Sequence, residues 1–110
     1  MKVYGIRNCD TVKKAMRALE AAGQAPELVD IRATPLEAAV FQRFFEAFGE
    51  GMVNRRSTTW RGLSEAERSS DPVRLILAHP TLMKRPVIEA EGQLTLGWAP
   101  ETQSLWLGKR

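Results

Sequence analysis

At 110 residues, with 44% hydrophobic and 26% charged side chains, the chain has the size and composition of one globular domain able to bury a core without staples. One cysteine, Cys9, excludes an internal disulfide framework and points to a reducing compartment; with a single histidine, His79, it also excludes zinc clusters of the usual spacing, so no metal is expected. A net charge of +3, from eleven arginines and five lysines, favours anionic ligands but is too mild and too evenly spread to indicate nucleic acid.

The opening MKVYGIRNCD lacks the long apolar run of a secretory signal, and no stretch approaches the roughly 18 apolar residues of a membrane span. A cytoplasmic protein with no membrane or nucleic-acid partner is therefore expected. KVYGI (residues 2–6) reads as a strand. From Asp10 to about Ala22 the apolar residues Val12, Ala15, Met16, Leu19 and Ala22 recur at three and four, one face of a helix that Gly23 should end. ELVDI (residues 27–31) is a second strand, and strand–helix–strand at this length predicts a parallel βαβ unit.

Thr34-Pro35 reads as an N-cap with proline at the first helical position. The helix it opens should run to about Phe48 and bury Val40, Phe41, Phe44, Phe45 and Phe48, with Gly49 and Gly51 ending it. SEAE (residues 64–67) fits a capping box, and Asp71-Pro72 should start a helix with Val73, Ile76 and Leu77 inward. PVIEA (residues 86–90) and QLTLGW (residues 93–98) flank the turn Glu91-Gly92 as an antiparallel hairpin, and Pro100 opens a last helix ending near Leu107. No linker or repeat interrupts the chain, so one domain over residues 1–110 is expected. A βαβ unit followed by a hairpin and a closing helix is the order of an α/β, thioredoxin-like mixed sheet. Residues of about 35–84 would then be a helical insertion of roughly 50 residues.

In that arrangement the start of the first helix is the reactive end, and Cys9 stands there between Asn8 and Asp10, without the apolar neighbours of a buried structural cysteine. A helix N-terminus and nearby cations both favour thiolate, lowering a thiol pKa from about 8.5. Lys13 and Lys14 are misplaced for helix stability, since the N-terminus is already positive, but well placed if an anion docks; Arg7 adds to the same field. Asn8 either orients the loop or merely makes the turn. Thr11 should cap the helix or donate to the sulfur or an anion. Val12 occupies the place of a second cysteine in a Cys-x-x-Cys pair, so an adduct on Cys9 would need an external thiol, and glutathione is the obvious one.

YGIRNCDTVKKA (residues 4–15), VDIR (29–32), NRRSTTWRGL (54–63), HPTLMKRPVI (79–88) and LGW (96–98) together resemble the ArsC/Spx family, and most closely its YffB-type branch. The resemblance runs over nearly the whole chain. It implies a thioredoxin-like fold with a helical insertion, and arsenate reductase-like, glutathione-dependent oxidoreductase chemistry. Cys9 would be the nucleophile. Arg56, in NRRSTTW, and Arg85, in KRP, would form the anion and glutathione site, joined by Pro86 as a cis-proline and by Asn8, Thr11 and Lys13. The spacing to TTW favours Arg56 over Arg55. The implied partners are glutathione as co-substrate and a glutaredoxin, with the protein a monomer.

Two departures from the arsenate reductases stand out. Asp10-Thr11-Val12 replaces their Gly-Thr-Ser after the cysteine, and Gly97-Trp98 stands where they have a further arginine. Two arginines neutralise a trianion-like transition state less well than three, so a glutathione mixed disulfide or another thiol adduct is easier to accept than arsenate. The alternative is an Spx-like regulator that binds RNA polymerase without catalysis; Val12 removes the Cys-x-x-Cys switch of such proteins.

Overall fold

In the computed structural model, which describes residues 1–108, the chain divides into two compact units. Among the described residues, one comprises Met1–Asp30 and residues 85–108; the other is Ile31–Lys84.

The first unit is built on a four-stranded mixed sheet of order β2-β1-β3-β4. Strand β1 (Lys2–Gly5) runs parallel to β2 (Glu27–Asp30) and antiparallel to β3 (Val87–Ala90), and β3 pairs antiparallel with β4 (Gln93–Leu96). Parallel strands need a crossover, and helix α1 (Asp10–Ala21) supplies it. Its apolar stripe packs Val12 and Leu19 with Val3, Ile88 and Trp106 in one buried cluster, against which Met16, Cys9 and Trp98 are partly buried. Ala22 stays exposed, because α1 has already ended beneath it. The ending is a Schellman motif: Gln24 N–H donates to Leu19 C=O and Gly23 N–H to Glu20 C=O, which requires the positive φ of +85° at Gly23. Both hairpin turn residues, Glu91 and Gly92, also have positive φ, as a tight two-residue turn demands. Helix α6 (Pro100–Leu107) closes the unit through Trp106, whose Nε1–H donates to Thr95 Oγ1 at 2.8 Å, while Gln24 Nε2 donates to the Trp106 carbonyl.

The second unit is helical: α2 (Ala38–Phe48), a 3-10 turn at Gly49–Met52, α3 (Thr58–Arg61), α4 (Glu65–Arg68), α5 (Pro72–Ala78) and a 3-10 turn at Pro80–Leu82. Helix α2 packs on α5, with Phe41 and Phe44 fully buried and edge-to-face at 6.3 Å. The helix starts at Ala38, three residues beyond the expected position: Thr34-Pro35 closes the turn after β2, and extended Glu37 is the N-cap. Val40, Phe45 and Phe48 are only half-buried. In α5 the buried set is Val73, Leu75 and Ile76, not Leu77, which is 40% exposed. The helix is covered by both α2 and the 3-10 turn at Pro80–Leu82, so its buried face is wider than the stripe suggests. Ser64 and Glu67 form the capping box, and Asp71 caps α5. A lone antiparallel bridge, Val53 to Met83, draws the two ends of the α3–α5 segment together.

Candidate active site at the start of the first helix

Strand β1 ends at Gly5, and the four residues Ile6 to Cys9 carry the chain into α1. The turn is closed by Cys9 N–H donating to Ile6 C=O at 3.0 Å. Gly5 makes this tight approach sterically feasible: a Cβ there would stand 2.6 Å from Val12 Cγ2. Arg7 N–H donates to Asp30 Oδ2 at 3.0 Å, tying the same turn to the end of β2. Cys9 is itself the N-cap of α1, in extended conformation, with its carbonyl accepting the first intrahelical bond from Lys13 N–H. No oxygen-bearing side chain occupies the cap, so the free amides of the first turn are left to the sulfur.

Burial pushes the half-buried Cys9 thiol up, but the Val12 N–H, the Arg85 guanidinium by hydrogen bond and charge, and the Thr11 N–H together outweigh it. The thiol is therefore held below its ordinary value. The Cys9 side chain makes no capping hydrogen bond of the serine or aspartate kind, so the amides favour the thiolate through their dipoles. Of the two expectations for Thr11, capping fails because Cys9 holds the cap position, while donation to the sulfur comes from its backbone amide. Lys13 and Lys14 are exposed and, with Arg7, are not among the groups that act on the thiol; the effective cation comes from the far end of the chain. Asn8 is exposed, with no hydrogen bond among the described residues.

Arg85 reaches the sulfur because of where β3 begins. The Arg85–Pro86 peptide bond is cis, Pro86 is buried, and its carbonyl accepts from Gly97 N–H at 2.8 Å across the hairpin. Gly97 is buried and has φ of +85°, a conformation that a side-chain-bearing residue adopts at a cost. Trp98 packs against the same apolar cluster as Cys9, and its carbonyl accepts from Gln103 Nε2.

In the helical unit, the NRR segment is fixed locally. Asn54 Oδ1 accepts Arg56 N–H at 3.1 Å, and the Asn54 carbonyl accepts the Ser57 hydroxyl at 2.8 Å. Arg55 pairs with Glu50 at 2.6 Å and lies 5.4 Å from the centre of the Trp60 ring, over which Arg68 is also placed at 5.6 Å. Arg55 is thereby engaged. The Arg56 side chain is exposed and has no partner among the described residues. Lys84 is in the same condition, and the two line one cleft of about 470 Å³ together with Asn54 and Val53. Sequence reasoning passed over Asn54 and Lys84. The Asn-x-Arg spacing, which favours an Asx turn, was the available signal for the first; the Val53–Met83 pairing that brings in the second leaves no local trace.

A mixed sheet of order β2-β1-β3-β4, a cysteine capping the first helix and a cis-proline ahead of β3 define a thioredoxin-like protein. Comparison with known proteins narrows the class. The model of the ArsC family matches residues 4–104. An uncharacterized protein of Haemophilus influenzae (strain Rd) is 39% identical over 101 residues, covering 87% of this chain and 89% of its own length. The solved structure of a protein named YFFB superimposes with a TM-score of 0.89 at 32% identity, covering 97% of this chain and 98% of that one. An arsenate reductase (ArsC) related protein from Brucella melitensis gives a TM-score of 0.75 at 37% identity, with 98% and 94% covered. The chain belongs to the ArsC family, the arsenate reductase-like group of thioredoxin-fold proteins.

Proposed function

We propose that the protein is a glutathione-dependent reductase of thiol adducts, with Cys9 as its one nucleophile. The observation that carries the reading is the Cys9 thiol, held below its ordinary pKa by first-turn amides and the Arg85 guanidinium in a chain with no other cysteine. The thiolate attacks the glutathionyl sulfur of a mixed disulfide R–S–S–G. A Cys9–glutathione disulfide forms, the S–S bond of the substrate breaks, and R–S⁻ leaves to take a proton from solvent. A second glutathione, as thiolate, then attacks the glutathionyl sulfur on Cys9. Oxidised glutathione departs and the Cys9 thiolate is restored, so overall R–S–S–G and one reduced glutathione give R–SH and oxidised glutathione; a glutaredoxin thiolate can take the place of that glutathione, carrying the glutathionyl group away as its own mixed disulfide. Arg85 keeps Cys9 a good leaving group in this second step, since a thiol of lower pKa leaves faster. Arg56, matched to the family's anion site, takes an anionic group of the substrate, and cations of this kind offset the repulsion between a thiolate and an anionic partner.

An oxyanion such as arsenate is the less favoured substrate, because Gly97-Trp98 stands where the arsenate reductases have a further arginine, and the positive φ of Gly97 disfavours a side chain there. The test is intact-mass analysis after exposure to oxidised glutathione at neutral pH. One glutathionyl adduct is expected, absent from Cys9→Ser and removed by reduced glutathione. An unmodified Cys9 after prolonged exposure would overturn the reading.

A further inference from the structure

The turn that delivers Cys9 is held by an acceptor from a neighbouring strand. Strand β1 pairs with β2 as far as Gly5 opposite Asp30, so Arg7 lies beyond the ladder. The half-buried Asp30 side chain extends the pairing by one step, its Oδ2 accepting the Arg7 N–H at 3.0 Å. That N–H and the Ile6 carbonyl belong to one peptide group, and the Ile6 carbonyl accepts the Cys9 N–H at 3.0 Å. A carboxylate, one peptide plane and the Cys9 amide thus stand in a single chain of two hydrogen bonds. On its other side, the Cys9 carbonyl accepts from Lys13 N–H. With both flanking peptide groups held, φ of −83° and ψ of 124° at Cys9 are set, and its Cα–Cβ bond has one direction, toward the first-turn amides.

We infer that Asp30 is a positioning residue for Cys9, acting through the Ile6–Arg7 peptide group. A charged acceptor makes a stronger bond than a neutral one, and it polarises the peptide so that the Ile6 carbonyl holds the Cys9 amide more firmly. Asp30 is not among the groups that act on the thiol, so its effect runs through the backbone from which the sulfur projects. The inference rests on the reading of Cys9 as the nucleophile and deepens it, but it concerns the placement of the sulfur and is read without glutathione. Charge acting through space would have the opposite sense: a carboxylate near the sulfur disfavours thiolate, so its removal would lower the thiol pKa. Positioning predicts that removing the acceptor raises it, and the sign separates the two.

The experiment compares wild type, Asp30→Ala and Asp30→Asn, each shown folded by its amide NMR spectrum. Two quantities are read: the ultraviolet titration of the Cys9 thiolate, and hydrogen exchange at the Arg7 and Cys9 amides. Asp30→Ala is expected to raise the thiol pKa by about 0.5–1, the worth of one hydrogen bond to the charged form, and to speed exchange at both amides. Asp30→Asn keeps an acceptor oxygen and should restore most of both. A thiol pKa unchanged or lowered in Asp30→Ala, an equal rise in Asp30→Asn, or faster exchange at Arg7 alone would each overturn the inference. Wild type carries a second test, decisive if Asp30→Ala does not fold. In an NMR acid titration the Arg7 and Cys9 amide protons should both move with the midpoint of the Asp30 carboxyl carbon; a Cys9 amide that follows only the adjacent Asp10 would equally overturn it. If Cys9 never accepts glutathione yet this Asp30 dependence is seen, the reductase reading falls and the positioning role stands. A glutathionyl adduct on Cys9 without Asp30 dependence has the opposite meaning.

Discussion

Cys9 differs from an ordinary surface thiol in what its charge meets. Desolvation works against the thiolate, and three donors work for it, one of them the charged Arg85. A folded-state pKa below the unfolded one has a consequence for stability with a definite sign. Below the folded pKa both states hold the proton and Cys9 contributes nothing. Between the folded and unfolded pKa values the unfolded state binds more protons, so stability rises with pH; above the unfolded value the contribution is complete. Denaturant titrations should therefore show wild type gaining stability relative to Cys9→Ser as pH is raised from the folded thiol pKa toward about 8.5, and losing it again on acidification. A difference flat in pH would mean the thiol is unperturbed. Sequence reasoning located the sulfur, the first-turn amides and Arg85, but assigned the local cationic field to Arg7, Lys13 and Lys14. Local spacing shows charges adjacent along the chain; it does not show that those side chains turn to solvent, while Arg85, 76 positions away, is brought close by β1–β3 pairing.

At the level of elements, the site depends on how closely β1 delivers the chain to α1. Gly5 is the contact point, with Val12 filling the space a Cβ would need. Gly5→Ala should cost about 1–3 kcal/mol by overpacking, read as a lower midpoint in chemical denaturation with an unchanged slope. The same displacement moves the Val12 amide from the sulfur, so the Cys9 pKa should rise in the folded variant. An unchanged midpoint and pKa would show that β1 and α1 can part enough to admit a Cβ at Gly5. The elements most legible in the sequence were those with a clean stripe or a glycine stop. Helix α1 and the hairpin are such cases, because their periodicity and their positive-φ residues are local properties. The start of α2 was misplaced since Thr-Pro serves equally to end a turn, and Leu75 was exchanged for Leu77 since α5 is buried by two neighbours rather than one.

Over the whole molecule, the order βαβ, helices, ββα was enough to name a thioredoxin-like sheet, because the parallel β1–β2 pair and the β3–β4 hairpin each follow from connection length. Pairings separated by most of the chain were not legible: β1 with β3, Val53 with Met83, and the Tyr4 hydroxyl donating to Glu89 at 3.2 Å arise only when the sheet and the insertion are assembled. Family membership then joins the sheet, the cysteine cap and the cis-proline into one arsenate reductase-like architecture. What the architecture must deliver, for the proposed chemistry, is a sulfur that is charged near neutral pH. The most direct measurement is a pH titration of the ultraviolet thiolate absorbance, with Cys9→Ser as the blank and Arg85→Gln alongside wild type. A wild-type midpoint clearly below about 8.5, moving upward in Arg85→Gln, is the predicted result; a midpoint at or above that value, or one indifferent to Arg85, would contradict it.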